Sequence, residues 1–293
     1  MATPAQWLEG ARPRTLPAAV SPVLAGTGVS AHLDAAVWWK FLLALVVSLT
    51  LQVGVNYAND YSDGIRGTDE QRVGPVRLVG SGVASARSVK LAAFASFGAA
   101  AIVGLVLAAT TSWWLVAVGL LCIVAAWFYT GGRNPYGYRA LGEVMVFVFF
   151  GLVAVMGTTY VQTESLSRAA LLPSLYAATG VGALACAILV ANNLRDIPTD
   201  QAIDKRTLAV VLGAERTRAL FALLVVGAAI ALVALAFATT RWALLGFGYA
   251  AMAVPAVRLV LSGTTGRGLV PVLQGTGLSE LLYASGILLG LAL

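Results

Sequence analysis

Residues 41–69 read FLLALVVSLTLQVGVNYANDYSDGIRGTD. From Phe41 to Ala58 there is no charge, and the run approaches the ~20 apolar residues that cross a bilayer as a helix. Directly after it come Asp60, Asp63 and Asp69. If the helix continues through Asp63, then Asn56, Asn59, Asp60 and Asp63 recur at spacings of three and four and share adjoining faces of its last turns. Gly64 and Gly67 then offer a stop, and Asp69 returns on a loop.

The rest of the chain repeats the apolar pattern. Of 293 residues, 59% are hydrophobic and 11% charged, against roughly 25% charged in soluble domains. The reading is an all-α integral membrane protein, one domain over 1–293, with nine transmembrane helices near 15–33, 38–58, 88–110, 112–130, 140–161, 169–192, 218–238, 242–262 and 269–292. Pro17 and Pro22 interrupt the first, which a membrane helix tolerates where neighbours satisfy the freed backbone. Nothing before Thr15 resembles a cleavable signal peptide. Of the 19 Lys and Arg, all but Lys40, Arg168 and Arg241 fall at the N-terminus or in the links after even-numbered spans. This asymmetry places the N-terminus in the cytoplasm and the C-terminus outside. The net charge of +6 therefore reports topology and contact with anionic membrane lipids, not nucleic-acid binding. Cys122 and Cys186 lie inside apolar spans and read as small core residues. His32, the single histidine, cannot build a histidine metal site.

Two cytoplasmic segments, about 59–87 and 193–217, are long and hold most of the acids. The second contains NNLRDIPTDQAIDKRTLAVVLG, with Asp196, Asp200 and Asp204 at intervals of four. A helix would stack these three on one face, with Pro198 bending the stack. A lone Asp at a helix end is usually a solvated cap. Two clusters rich in Asp, Asn and Arg suit Mg²⁺, which takes one or two carboxylates and completes its shell with water and substrate phosphates. Metal between the clusters, with Arg and Lys on the remaining oxygens, makes a diphosphate site. At a membrane rim, an ester of diphosphate with an oily chain fits.

At these motifs the sequence resembles the UbiA superfamily of intramembrane prenyltransferases, whose pattern is Asn-Asp-x-x-Asp with a further Asp downstream, then Asp-x-x-x-Asp. Here these are Asn59, Asp60, Asp63 and Asp69, then Asp196 and Asp200. The segments ARPRTLPAAVSPVLAGT, GTDEQRVGPVRLVGSG, YTGGRNPYGYRALGEVMVFVFFG and NNLRDIPTDQAIDKRTLAVVLG are similar to the branch that prenylates 1,4-dihydroxy-2-naphthoate. That branch commonly has Gly-Lys where this chain has Asp204 and Lys205, which leaves the role of Asp204 open. The resemblance implies transfer of a polyprenyl group from polyprenyl diphosphate to 1,4-dihydroxy-2-naphthoate with loss of CO₂, in a bacterial cell membrane. It implies Mg²⁺ on Asp60, Asp63, Asp196 and Asp200, acting as a Lewis acid on the leaving diphosphate, with Asp69 either a further metal ligand or the residue that steadies the loop carrying Arg77. Arg72, Arg77, Lys205, Arg206 and Asn59 are the expected diphosphate contacts, Lys205 also entering the catalytic set. Arg14, Asn56, Tyr129 and Glu143 are the expected acceptor contacts, with Glu143 either touching substrate or pairing with Arg139. Tyr57, Tyr61 and Tyr138 belong to an interfacial belt or face the developing cation, and Glu280 has no assigned role.

Three alternatives stay open. A related enzyme with another aromatic acceptor, such as 4-hydroxybenzoate, shares every motif. A CDP-alcohol phosphotransferase keeps its aspartates in one motif, unlike this chain. A transporter or cation channel would place its ion site nearer the bilayer midplane.

Overall fold

The computed structural model describes residues 2–67 and 77–293. Helices dominate throughout. In chain order they are α1 (Pro4–Gly10), α2 (Pro17–His32), α3 (Trp38–Arg66), α4 (Ala86–Ala109), α5 (Leu115–Phe128), α6 (Gly142–Val146), α7 (Gly157–Thr163), α8 (Arg168–Ala202), α9 (Leu208–Ala238), α10 (Ala250–Leu261) and α11 (Val270–Leu291). A π-helical stretch, Phe147–Met156, joins α6 to α7 without a break. A 3-10 stretch, Arg241–Tyr249, leads into α10. Among the described residues the only β pairing is one parallel bridge between Arg139 and Arg206.

Every one of the nine apolar stretches falls on helix. Six helical segments are long and apolar enough to cross a membrane: Trp38–Arg66, Ala86–Ala109, Gly142–Thr163, Arg168–Ala202, Leu208–Ala238 and Arg241–Leu261. The chain is a multi-pass membrane protein.

Two of these helices are longer than a bilayer needs. At 1.5 Å per residue, the 29 residues of α3 and the 35 of α8 reach about 44 and 52 Å, against a hydrocarbon core of about 30 Å. The acids lie in the C-terminal turns of both helices, beyond their apolar stretches. α3 runs on through Arg66 and stops at Gly67, whose φ of 71° favours a residue without Cβ. α8 continues past Pro198 to Ala202, so most of the expected second loop is helix. The anticipated stack of three aspartates is cut to two. Asp204 lies beyond the helix end in the left-handed region at φ 54°, in a turn closed by Lys205 N–H donating to the Asp200 carbonyl.

α8 is the most enclosed of the six segments. Its small residues let neighbours approach closely, as is usual between membrane helices. A Cβ on Gly182 would stand 3.1 Å from Gly151 Cα, and one on Gly180 would overlap the Tyr283 hydroxyl. α11 packs just as tightly on the 3-10 stretch, where a Cβ on Gly286 would meet Gly246 N at 2.5 Å.

Away from the acidic ends, a single lysine ties three elements. Lys40 is 4% exposed, and its Nζ donates to Glu164 Oε1 at 2.6 Å, the Thr110 carbonyl at 3.2 Å and Thr111 Oγ1 at 3.1 Å. One charge thus binds the start of α3, the end of α4 and the end of α7.

Candidate active site

A cavity of about 1360 Å³ runs from the acid-bearing ends of α3 and α8 into the bundle. Its mouth carries Arg12, Arg14, Arg77, Arg195, Lys205 and Arg267 against Glu9 and Asp63. Among the described residues, six cations to two acids make a mouth that attracts anions. Beyond the mouth the wall turns apolar, through Leu51, Val118, Phe149 and Val153 to Leu107 and Leu115. The latter pair belongs to the far ends of α4 and α5. The π-helical stretch supplies part of this wall, and widened turns of this kind recur at functional sites.

Each described aspartate of the two motifs, Asp60, Asp63, Asp196 and Asp200, is engaged by protein donors. Asp60 is 1% exposed, and its two oxygens accept from the backbone N–H of Leu78 at 2.8 Å and of Val79 at 3.0 Å. It fastens the segment behind Arg77 to α3. Asp63 accepts from the Tyr138 hydroxyl at 2.7 Å and lies 3.8 Å from Arg77 Nη2. Asp196 is held in a fork by its neighbour Arg195, with Nε at 2.7 Å and Nη2 at 2.8 Å. Asp200 lies 3.5 Å from Lys205 Nζ and accepts from Thr207 Oγ1 at 3.4 Å.

Tyr138 joins the two motifs. While its hydroxyl holds Asp63, its ring lies 4.9 Å from Lys205 Nζ and 5.4 Å from the Arg66 guanidinium. The Arg66 guanidinium also donates to the carbonyls of Thr130 and Gly132, just past the end of α5. The bridge between Arg139 and Arg206 holds this turn against the segment after α8. Nearby, Tyr136 donates to the Ala125 carbonyl at 2.7 Å. Burial pushes its phenol well above the usual tyrosine range, so it remains a neutral donor.

The remaining expected residues are distributed as follows. Arg14, Asn56, Asn59, Tyr129, Arg77 and Lys205 line the cavity. Asn56 donates to the Ala11 carbonyl at 2.8 Å and to Thr15 Oγ1 at 3.1 Å, tying the N-terminal segment to α3. Asn59 accepts from Thr130 Oγ1 at 2.7 Å. Asp60, Asp196 and Asp200 lie buried outside the wall, and Arg206 is exposed. Glu143 pairs with Asn193 rather than Arg139, Asn193 Nδ2 donating to its Oε1 at 2.9 Å. Asp69 and Arg72 lie outside the described residues. Sequence reasoning passed over Asn192, Asn193 and Arg195, which line the cavity. They stood beside the second motif, but no spacing rule separated them from flanking polar residues.

Among the described residues, no three His, Cys, Asp or Glu side chains converge as a ready-made cage. That donor set fits Mg²⁺ in its usual protein setting, with one or two carboxylates and the rest of the shell from phosphate and water. Asp63 faces the cavity beside Asn59, while the cations around it suit the phosphate.

The family model described as the UbiA prenyltransferase family matches residues 19–268. The chain belongs to this family. It is 55% identical over 287 residues to a 1,4-dihydroxy-2-naphthoate octaprenyltransferase of Mycobacterium tuberculosis, covering 98% of this chain and 97% of that one. An Escherichia coli protein of the same description is 37% identical over 303 residues, covering 97% and 95%. Among solved structures, a UbiA homolog from Aeropyrum pernix superposes with a TM-score of 0.74 at 15% identity, covering 93% of this chain and 97% of that one. A UbiA homolog from Archaeoglobus fulgidus bound to GPP and Mg²⁺ gives 0.61 at 13% identity, covering 98% and 100%. At these identities the superpositions establish a shared fold.

Proposed function

We propose that this protein transfers a polyprenyl group from its diphosphate to 1,4-dihydroxy-2-naphthoate, releasing CO₂ and diphosphate. The 55% identity over nearly the full length of a naphthoate prenyltransferase is the observation that carries this reading. The cavity supports it physically, since a cationic mouth above an apolar shaft matches a substrate with a diphosphate head and a hydrocarbon tail. We place the enzyme in the bacterial cell membrane, with nine spans and the mouth toward the cytoplasm, the face to which the arginine excess points.

Mg²⁺ would be held by Asp63, which lines the cavity, with Asp196, Asp200 and Asp69 as the other carboxylates of the two motifs, while Asp60, whose oxygens hold the amides of Leu78 and Val79, anchors the segment that carries Arg77. When bound it supplies Lewis-acid stabilisation of the leaving diphosphate. The chain's own cations do the rest. Arg77, Lys205 and Arg195 neutralise diphosphate oxygens. Asp63 and Asp200 keep the first two of these side chains in place, and Tyr138 holds both motifs at a set separation. Arg14, Asn56 and Tyr129 form the acceptor side, with Glu143 behind Asn193, and the apolar shaft excludes water from an allylic cation.

The deciding assay incubates purified protein with Mg²⁺, a polyprenyl diphosphate and either 1,4-dihydroxy-2-naphthoate or 4-hydroxybenzoate, then weighs the product. A prenylated naphthol lacking the mass of CO₂ is expected from the first acceptor only. A product from 4-hydroxybenzoate alone would assign the other acceptor class, and transport of ions without diphosphate release would remove the enzyme reading.

A further inference from the structure

Near the junction of α6 and α8, the cavity wall includes Tyr129, Met145, Val146, Leu189 and Asn193. Apart from the asparagine amide and the tyrosine hydroxyl, this stretch of wall is apolar or aromatic. Immediately behind Asn193 lies Glu143, 7% exposed. Its Oε1 accepts from Asn193 Nδ2 at 2.9 Å, and its backbone carbonyl accepts from Cys186 Sγ at 3.0 Å.

This pairing fixes an orientation. With Glu143 Oε1 as the acceptor, the nitrogen end of Asn193 faces Glu143. Its oxygen is then the group Asn193 offers the cavity. Among the described residues nothing donates to that oxygen. Glu143 Oε2 is buried and has no hydrogen-bond partner among the described residues either. An unsatisfied buried oxygen is destabilising. A leucine at 143 would avoid the cost but would leave the Asn193 amide free to turn.

We infer that Asn193 determines acceptor specificity by accepting a hydrogen bond from a ring hydroxyl, and that Glu143 is the positioning residue that holds its amide in register. The inference rests on the function proposed above. A hydroxyl donating to Asn193 Oδ1 sets the face and depth at which the ring enters, and the bond raises electron density in the ring that attacks the prenyl cation. A ring that lacks the donor leaves a polar atom of the wall unpaired, which is how buried polar sites reject close analogues.

The test uses the purified full-length protein with Mg²⁺, a polyprenyl diphosphate, 1,4-dihydroxy-2-naphthoate and its two monomethyl ethers. The unaltered protein should use one ether at least about 10-fold less efficiently than the parent, the scale of one lost hydrogen bond. Asn193→Leu and Glu143→Leu should each raise the acceptor KM by about that factor, leave the diphosphate KM within about 2-fold, and abolish discrimination against that ether. Glu143→Gln, whose amide oxygen still accepts from Asn193, should retain the discrimination. If leucine at 193 prevents assembly in detergent, Asn193→Ala gives the same comparison. Equal use of the parent and both ethers by the unaltered protein would overturn the inference, as would Asn193 variants that still discriminate or that move both KM values together. Failure of the unaltered protein to prenylate the naphthoate would instead remove the functional reading beneath it.

Discussion

Asp63 and Tyr138 show what single residues contribute. Asp63 combines a cavity-facing carboxylate with a 2.7 Å bond from Tyr138 and an ion pair to Arg77. Asp63→Asn keeps the shape and removes the charge. It is expected to lower kcat/KM by at least about 100-fold while the protein remains membrane-inserted and monodisperse, measured by diphosphate release and size-exclusion chromatography. Tyr138→Phe deletes only the hydroxyl and keeps the ring near Lys205, so about 10-fold is expected from one hydrogen bond to a charged group. Tyr138→Leu removes both contacts and should cost several times more than the phenylalanine variant. Asp60 contributes differently, because both of its oxygens already serve backbone amides. Nothing in the spacing Asn-Asp-x-x-Asp separates the aspartate that pins a loop from the aspartate that faces the cavity, since both occupy the same helix turn.

At the level of elements, the length of the helices and the closeness of their contacts decide the architecture. The helix positions were readable because an apolar run of about 20 residues has few other uses. The helical continuation of α8 past Pro198 was not, since proline disfavours helix locally and only the surrounding packing compensates. The fate of Asp204 follows from where that helix ends. Close contacts give a stability test. A Cβ on Gly290 would come within 2.0 Å of the Trp242 carbonyl oxygen, whereas one on Gly227 meets nothing within 4 Å. Gly290→Ala should therefore lower the melting temperature in detergent measurably, by the ~1–3 kcal/mol typical of overpacking or more, and Gly227→Ala should leave it near the original value. Equal melting temperatures for the two would refute the tight packing of α11 on the 3-10 stretch.

The whole molecule adds polarity along one axis, with a cationic mouth and an apolar interior joined in one cavity. Two outcomes belong to this scale. Chelation of divalent metal should abolish turnover, and added Mg²⁺ should restore it, because the leaving diphosphate then loses its Lewis-acid stabilisation. Single cysteines placed after Ala84 and after Thr111, in a background without Cys122 and Cys186, should react with impermeant thiol reagents from opposite sides of the membrane. Labelling of both from the same side would refute the topology drawn from the arginine distribution.

The sequence by itself determined the membrane class, the helix positions and the two motifs, because hydrophobic length and motif spacing act locally along the chain. Only the tertiary structure decided which motif residues face the cavity. Four aspartates of like chemistry were separated into a loop anchor, a cavity ligand and two partners of neighbouring cations by helix phase and by what packs beside them. The same holds for Tyr138 and Asn193, whose roles depend on contacts between segments far apart in the chain. A hydrogen bond of 2.7 or 2.9 Å across such a distance leaves no trace in local spacing.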